Sequence, residues 1–195
     1  MTPAIEQEMR NANITGAGTI DRIAFFQNAF DSRVQGLDIV GTYRMDWDSG
    51  QSTSITGSLN RNTYKIQQVN ISSVIFDAIS TFNFENNAPD WRANLTVSHD
   101  AGSFTGMVRG NFYGPHERQT TRAGNAIQKY DTIVQVDAEL IYNVNQGFSV
   151  SVGARNIFDK YPDVNRIDQT NGRLYFDGPV DWQGGYYFGQ VRYEF

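Results

Sequence analysis

The chain ends on the stretch Gly-Tyr-Tyr-Phe-Gly-Gln-Val-Arg-Tyr-Glu-Phe, residues 185–195. Side chains in a β-strand alternate between two faces, so every second residue of this stretch lies on the same side. One face carries Tyr187, Val191, Tyr193 and Phe195; the other carries Gln190, Arg192 and Glu194 behind Tyr186 and Phe188. Terminal residues of soluble domains usually fray, whereas this terminus keeps a strict pattern. The stretch therefore predicts the final strand of a β-barrel in an outer membrane.

Composition permits such a barrel and excludes membrane-spanning helices. The chain has 195 residues, enough for one domain or two small ones. Charged residues make up 19%, below the roughly 25% of typical soluble domains. The mean hydropathy is −0.48, and no apolar run reaches the roughly 20 residues that a membrane helix needs. A transmembrane barrel needs no such run, because only every second residue of its strands meets lipid.

The charge balance and the absence of cysteine exclude several other classes. A net charge of −5 argues against a nucleic-acid partner, since such binding depends on a basic surface. Without cysteine there is no disulfide, no thiol nucleophile and no thiolate metal site. Residues 1–10 contain Glu6, Glu8 and Arg10 with no apolar stretch behind them, so they predict no secretory signal.

Eight candidate strands can be marked by alternation of apolar and polar residues and by turn residues, although residues 20–30 are apolar on both faces. They are residues 20–30, 34–46, 51–64, 91–99, 104–113, 130–144, 148–156 and 186–195. In the clearest, 130–144, an apolar face opposes a polar one that contains Asp137 and Glu139. Burying those carboxylates inside a dry β-sandwich would be costly, whereas the lumen of a large barrel is wet. The pattern therefore favours a barrel.

The connections between these stretches alternate in length. Three are compact turns, at 48–50, 100–102 and 145–147, and three are long, at about 66–90, 114–129 and 157–184. A further short hairpin is expected around Asp31-Ser32-Arg33. This alternation predicts an up-and-down barrel with tight turns on one rim and large loops on the other. Aromatic residues typical of a membrane interface gather at the rim of the turns, namely Tyr43, Trp47, Phe104, Tyr142, Phe148, Tyr193 and Phe195.

Few residues of the sequence suggest a metal-binding or catalytic site. The acids Asp159, Asp163, Asp168, Asp177 and Asp181 could supply oxygen ligands to Ca²⁺, but they show no ligand spacing and fit a solvated loop. His99 and His116 accompany no serine-nucleophile motif. Asp137 and Glu139 lie about 7 Å apart on one face, which paired acid–base work could use, yet repeated lumen polarity is the simpler interpretation. The sequence predicts no enzyme, no cofactor and no metal site, and it assigns no ligand-binding residue.

Two other classes stay open on the residues alone. One is a self-contained eight-stranded outer-membrane barrel with a structural or adhesive role. The other is a soluble β-sandwich that binds carbohydrate through Trp91, Trp182, Tyr186 and Tyr187. Packing at an interface or in loops is the simpler explanation of these aromatic side chains.

Specific residues add a family resemblance. The segment Val-Gly-Ala-Arg-Asn-Ile-Phe-Asp-Lys-Tyr-Pro, residues 152–162, followed by a loop and the final Arg-Tyr-Glu-Phe, resembles the end of TonB-dependent outer-membrane receptors. Two upstream groups are also similar to that family: Phe26-Gln27-Asn28-Ala29 with Arg33, Gly36, Leu37 and Asp38, and Phe84-Glu85-Asn86 with Pro89, Trp91, Arg92, Asn94 and Leu95. One departure is Gly189, which lies one residue further from the end than in the commonest family pattern.

The resemblance implies an organisation and a function. Residues 1–19 are a poorly defined N-terminal segment, and residues 20–195 are a transmembrane β-barrel segment, the last eight strands of a 22-stranded barrel. The implied function is TonB-dependent uptake of a scarce nutrient, such as a siderophore–iron complex, across the outer membrane of a Gram-negative bacterium. The implied partners are the lipid bilayer, the remaining N-terminal strands and plug domain, the TonB complex through that plug, the barrel-assembly machinery through the C-terminal strand, and a small nutrient ligand. We expect the chain to be a fragment or to have lost its beginning.

Overall fold

The computed structural model describes residues 3–16, 28–120, 125–167, 174, 175 and 178–194. Two helices lie in this part of the chain, α1 (Pro3–Asn11) and α2 (Ala78–Asn86). The strands are β1 (Phe30–Asp46), β2 (Ser52–Val69), β3 (Trp91–Asp100), β4 (Phe104–Tyr113), β5 (His116–Gln119), β6 (Ile127–Tyr130), β7 (Ile133–Asn145), β8 (Phe148–Arg155) and β9 (Tyr186–Tyr193). Neither of the two helices has the length and apolar character to cross a membrane.

Seven of these strands form one antiparallel sheet in the order β1-β2-β3-β4-β7-β8-β9. Each strand pairs with the next one of the sheet along the chain, which is an up-and-down arrangement. β5 and β6 form a separate two-stranded ribbon. The predicted fold class, an antiparallel barrel segment, is confirmed, although the sheet is open and β1 and β9 are its outer strands. Most of the predicted strand at 20–30 lies outside the described residues.

Three local predictions were wrong. The expected hairpin at Asp31-Ser32-Arg33 does not exist, because these residues lie inside β1. The register there shifts, with Asp31 opposite Gln68 and Ser32 opposite Ile66, so the extra residue is Gln67 in β2 while β1 runs through without an insertion. The predicted strand at 130–144 is divided, since Tyr130 ends β6 and β7 begins three residues later. The expected loop at 66–90 contains the end of β2 and helix α2.

The strand register aligns side chains of similar polarity in rows across the sheet. One row runs through all seven strands and is apolar throughout: Tyr43, Ile55, Val97, Val108, Ala138, Ala154 and Tyr187. The next row lies on the opposite face and is mostly polar: Arg44, Ser54, Ser98, Met107, Glu139, Gly153 and Phe188. The predicted division into an apolar and a polar face is therefore confirmed.

The two rims differ as predicted. Short connections join β1 to β2, β3 to β4 and β7 to β8 on one rim, which we call the turn rim. The Asp100 carboxylate and the Asn145 amide oxygen accept backbone N–H bonds at two of these turns, from Gly102 and Gly147. The Glu194 N–H donates to the Gly147 carbonyl at 2.8 Å, so the end of β9 also lies at the turn rim. The long connections lie on the opposite rim, the loop rim.

Candidate functional site

On the apolar face, every strand of the sheet has exposed apolar side chains, although the small Ala154 is only 4% exposed. The exposed fraction is 64% for Tyr43, 52% for Val108 and 79% for Tyr187, which are members of the same row. No second sheet of described residues packs on this face, as a sandwich would require. An apolar surface spanning seven strands far exceeds the few hundred Å² that soluble monomers expose, so it marks contact with a membrane or a partner.

Aromatic side chains line the turn rim of this face. The rings of Phe104 and Tyr142 stack with centroids 4.7 Å apart, and Phe148 lies opposite Tyr193 in the register. Trp47 is half-exposed, and its indole N–H donates to the Thr53 hydroxyl at 2.9 Å. Rings with an apolar body and a satisfied polar group suit the boundary between lipid and water. Phe195, the last residue of the predicted belt, lies outside the described residues.

The polar face carries a network of hydrogen bonds between neighbouring strands. The Asn60 amide donates to Asp38 at 2.5 Å, and the Arg109 guanidinium donates to Thr96 at 3.1 Å. Thr42 and Thr56 bond through their hydroxyls at 3.1 Å. Charged and polar side chains that hydrogen-bond to one another across strands are typical of a surface that faces water.

Helix α2 docks at the loop rim through paired polar contacts. The Asn83 amide donates to the Gln119 carbonyl at 2.9 Å and accepts from the Gln119 N–H at 2.8 Å, as a neighbouring strand would. The Glu85 carboxylate binds the Lys65 ammonium and the Ile66 N–H, both at 2.9 Å. The hydrogen bond from Lys65 is the largest of the effects that lower the pKa of Glu85.

An aromatic cluster fixes the same helix over the polar face. Phe30 contacts Phe76 and Phe84 with ring centroids 4.9 and 4.8 Å apart. Phe84 also meets Tyr64 edge-on at 6.3 Å. Tyr64 shares a face of β2 with Asn60, which belongs to the polar network. The long connection between β2 and β3 therefore folds inward over the mouth of the polar face.

A cavity of about 390 Å³ lies between the β5–β6 ribbon and the last long loop. His116 and Tyr130 stack in its wall with ring centroids 4.7 Å apart, and Tyr161, Lys160 and Asp163 also line it. Burial is the main cause that lowers the pKa of His116, so the ring is neutral over a wider pH range than usual. Apolar walls with a few charged groups are typical of a small-molecule site.

Residues 156–160, within the stretch 152–162 that carries the family resemblance, form a tight turn after β8. Asn156 has a left-handed φ of 48° and is only 5% exposed. Its side chain donates to the Lys160 carbonyl at 2.8 Å and accepts from the Lys160 N–H at 2.9 Å. Its own N–H donates to the Asp137 carboxylate at 3.0 Å, and Asp159 accepts from the Gly185 N–H at 2.8 Å. The segment joins β7, β8 and the start of β9.

Three of the five acids considered as calcium ligands accept hydrogen bonds from backbone N–H groups. Asp159 accepts from the Gly185 N–H, Asp163 from the Asp131 N–H and Asp181 from the Gln183 N–H. Asp168 and Asp177 lie outside the described residues. Within the part of the chain that the structure describes, no group of three or more His or acidic side chains is arranged to hold a metal ion.

The other residues singled out from the sequence are dispersed. His99 lies in β3 and His116 in the loop-rim cavity. Asp137 accepts bonds from Asn111 and the Asn156 N–H. Trp91 begins β3 and is separated by three strands from Tyr186 and Tyr187 in β9, so these rings form no common platform. Sequence reasoning missed the cavity, because His116 and Tyr130 meet only through the register of a ribbon that it did not predict.

Comparison with known proteins agrees with the geometry. The model of a family described as TonB dependent receptor-like, beta-barrel matches residues 6–157, which is well over half of the chain. No curated protein and no solved structure matches the chain. The matched segment contains β1 to β8, and with them most of the apolar face, the inward-folded helix and the cavity's ribbon. The chain belongs to the TonB-dependent receptor β-barrel family.

Proposed function

We propose that the chain forms part of the wall and the external loops of an outer-membrane receptor that imports a scarce nutrient, such as a siderophore–iron complex. The family is one of receptors and transporters of the outer membrane rather than an enzyme class. One observation carries the proposal: an apolar face exposed across seven strands, backed by a hydrogen-bonded polar face. That combination suits a sheet with lipid on one side and a wet lumen on the other.

The proposed division of labour follows from the two rims. Short turns are periplasmic and long loops external in barrels of this type. The loop-rim cavity, with Lys160, Tyr161 and Asp163, then faces the outside and contacts the incoming ligand. The polar face contacts a plug domain supplied by residues outside this chain, and TonB acts through that plug. The barrel segment begins near residue 20, and the C-terminal strand β9 engages the barrel-assembly machinery.

Membrane embedding is tested with two neighbouring substitutions in β4. Val108 is on the exposed apolar face near the middle of the strand, and Met107 is next to it on the polar face, opposite Glu139. Val108→Arg places a charge in lipid at a cost of about 2–4 kcal/mol. Met107→Arg places the same charge toward the lumen beside a carboxylate.

The measurement is the fraction of full-length protein recovered folded in the outer membrane, read from heat-modifiable migration in gels. We expect Val108→Arg to reduce this fraction strongly and Met107→Arg to leave it near that of the parent. Equal recovery of the two variants would refute the assignment of the faces. Full solubility with a cooperative melt in the absence of detergent would instead favour a soluble β-sandwich.

The transported nutrient is tested in cells. Deletion of the gene should abolish uptake of one radiolabelled iron chelate, and a strain without TonB should show the same loss. Complementation by a Lys160→Ala variant should raise the concentration for half-maximal uptake if the cavity contacts the ligand. Unchanged uptake of all iron chelates in the deletion strain would overturn the siderophore proposal while leaving the membrane assignment intact.

A further inference from the structure

A groove of about 780 Å³ crosses the apolar face over β3, β4, β7, β8 and β9. Small residues line much of it, namely Gly106, Ala138, Ala154 and Gly189, together with the larger Leu140 and Tyr187. A Cβ atom added at Gly106 would meet nothing within 4 Å, so this position opens freely into the surface. The groove is shallow and mostly open on its outer side, so it suits a ligand that lies along the surface.

One end of this groove is polar. His99 lines it and lies two residues before the turn between β3 and β4, close to the turn rim. The His99 Nδ1 atom is 2.8 Å from the Thr53 hydroxyl oxygen, and the Trp47 indole N–H donates to that oxygen at 2.9 Å. An indole N–H can only donate, so Thr53 accepts from Trp47 and can pass its own hydrogen to Nδ1. Because a hydroxyl oxygen accepts two hydrogen bonds, Thr53 fits either Nδ1 state; with Nδ1 as the acceptor, the neutral imidazole carries its proton on Nε2, and a protonated ring carries one there as well.

We propose that the groove binds a glycerophospholipid of the leaflet at the turn rim. One acyl chain lies over the small residues, and a phosphate oxygen accepts a hydrogen bond from Nε2 of His99. The inference rests on the proposed function, because it requires the apolar face to meet lipid. An apolar trough with a donor at head-group depth matches an amphiphile, whereas a free phosphate would leave the trough unfilled.

The test uses Trp47 as the reporter. The full-length protein carries Trp91→Phe and Trp182→Phe and is folded into phosphatidylcholine vesicles. The probes are brominated phosphatidylcholine and brominated diacylglycerol, which have the same acyl chains but differ in the phosphate. Bromine quenches Trp47 when a probe occupies the groove. A hydrogen bond to a charged oxygen corresponds to about a tenfold preference for the phosphate-bearing lipid.

Two variants and one control define the site. His99→Leu removes the donor, and Gly106→Leu fills the groove, so each should reduce the tenfold preference to about one. Gly41→Leu is the control, because Gly41 lies on the same face in β1, has equal free space around it, and is outside the groove. It should keep the full preference. Thr53→Val supplies a second route, since it retains the imidazole but removes the bond that orients it, and it should weaken the preference.

Each contrary outcome has one meaning. Equal quenching by both lipids in the parent, or equal loss in Gly41→Leu, would overturn the lipid site. A dimer in vesicles that Gly106→Leu converts to monomer, without a change in lipid quenching, would show that a second copy covers the groove. Quenching of Trp47 by aqueous iodide but by neither lipid would show that the face is not embedded, and the proposed function itself would then fail.

Discussion

Replacement of Asn156 by alanine tests how the turn after β8 holds three strands together. The substitution removes two hydrogen bonds to the backbone of Lys160 from a side chain that is 5% exposed. Each such bond contributes about 1 kcal/mol net. The residue also has a φ of 48°, and a Cβ without a local polar bond costs about 1 kcal/mol more in this left-handed region. We therefore expect Asn156→Ala to lower the free energy of unfolding by about 3 kcal/mol.

A glycine variant separates the two contributions. Asn156→Gly loses the same hydrogen bonds but adopts a φ of 48° without steric cost. The greater freedom of glycine in the unfolded chain offsets part of that relief. We expect a loss of about 2 kcal/mol, smaller than for alanine. The control is Asn143→Ala, at an exposed position of β7, which should change stability by less than about 0.5 kcal/mol.

The measurement is urea unfolding of the full-length protein in phospholipid vesicles, followed by tryptophan fluorescence. A glycine variant as unstable as the alanine variant would show that the left-handed backbone costs no more than the added freedom of glycine in the unfolded chain. Two variants as stable as the parent would refute the claim that the Lys160 bonds hold the turn. Either result would reduce the family-like segment to an ordinary exposed loop.

The remaining predictions concern the loop rim. Glu85→Gln should speed proteolysis of the connection that carries α2, because the neutral amide cannot form an ion pair with Lys65. Lowering the pH should also speed this proteolysis: the pKa of Glu85 is lowered from 4.5 in the folded protein, so its stabilisation is present above pH 4.5 and lost below. The pKa of His116 is lowered from 6.5, so the unfolded state binds more protons below 6.5 and the ribbon loses stability as the pH falls. Hydrogen-exchange protection in the β5–β6 ribbon, corrected for the intrinsic exchange rate at each pH, should therefore fall below pH 6.5, and His116→Phe should abolish that change. Gly114→Ala should shift the fluorescence of Trp91, since an added Cβ would lie 2.7 Å from the indole nitrogen, and an unchanged spectrum would contradict this packing.

Alternation predicted the sheet because membrane strands obey a local rule. The faces of residues 130–144 could be assigned from side-chain period alone, and the structure places Val134 on the exposed face and buries Gln135 on the other. The alternation of short and long connections likewise predicted both rims. These features need no knowledge of distant contacts.

The errors came from contacts between residues far apart in sequence. Asp31-Ser32-Arg33 has the composition of a turn, but pairing with β2 over 17 residues of β1 overrides that local preference. Helix α2 has no apolar stripe from which it could be predicted. Its position depends on the contacts of Asn83 with Gln119 and of Phe84 with Phe30. Sequence patterns did not predict the loop-rim cavity either, because its wall joins His116, Tyr130 and residues 160–163, which are far apart in sequence.

Asp137 has a structural role that its predicted position on the polar face does not include. Its position on the polar face was predicted, and repeated lumen polarity explained its charge. The structure gives it a specific role as well, because its carboxylate accepts from the Asn111 amide and from the Asn156 N–H. The charge that makes the lumen polar thus also fixes the turn after β8. Removing Asp137 would therefore test two properties at once, which is why Met107 rather than Asp137 is the suitable lumen-side control for an arginine in the membrane.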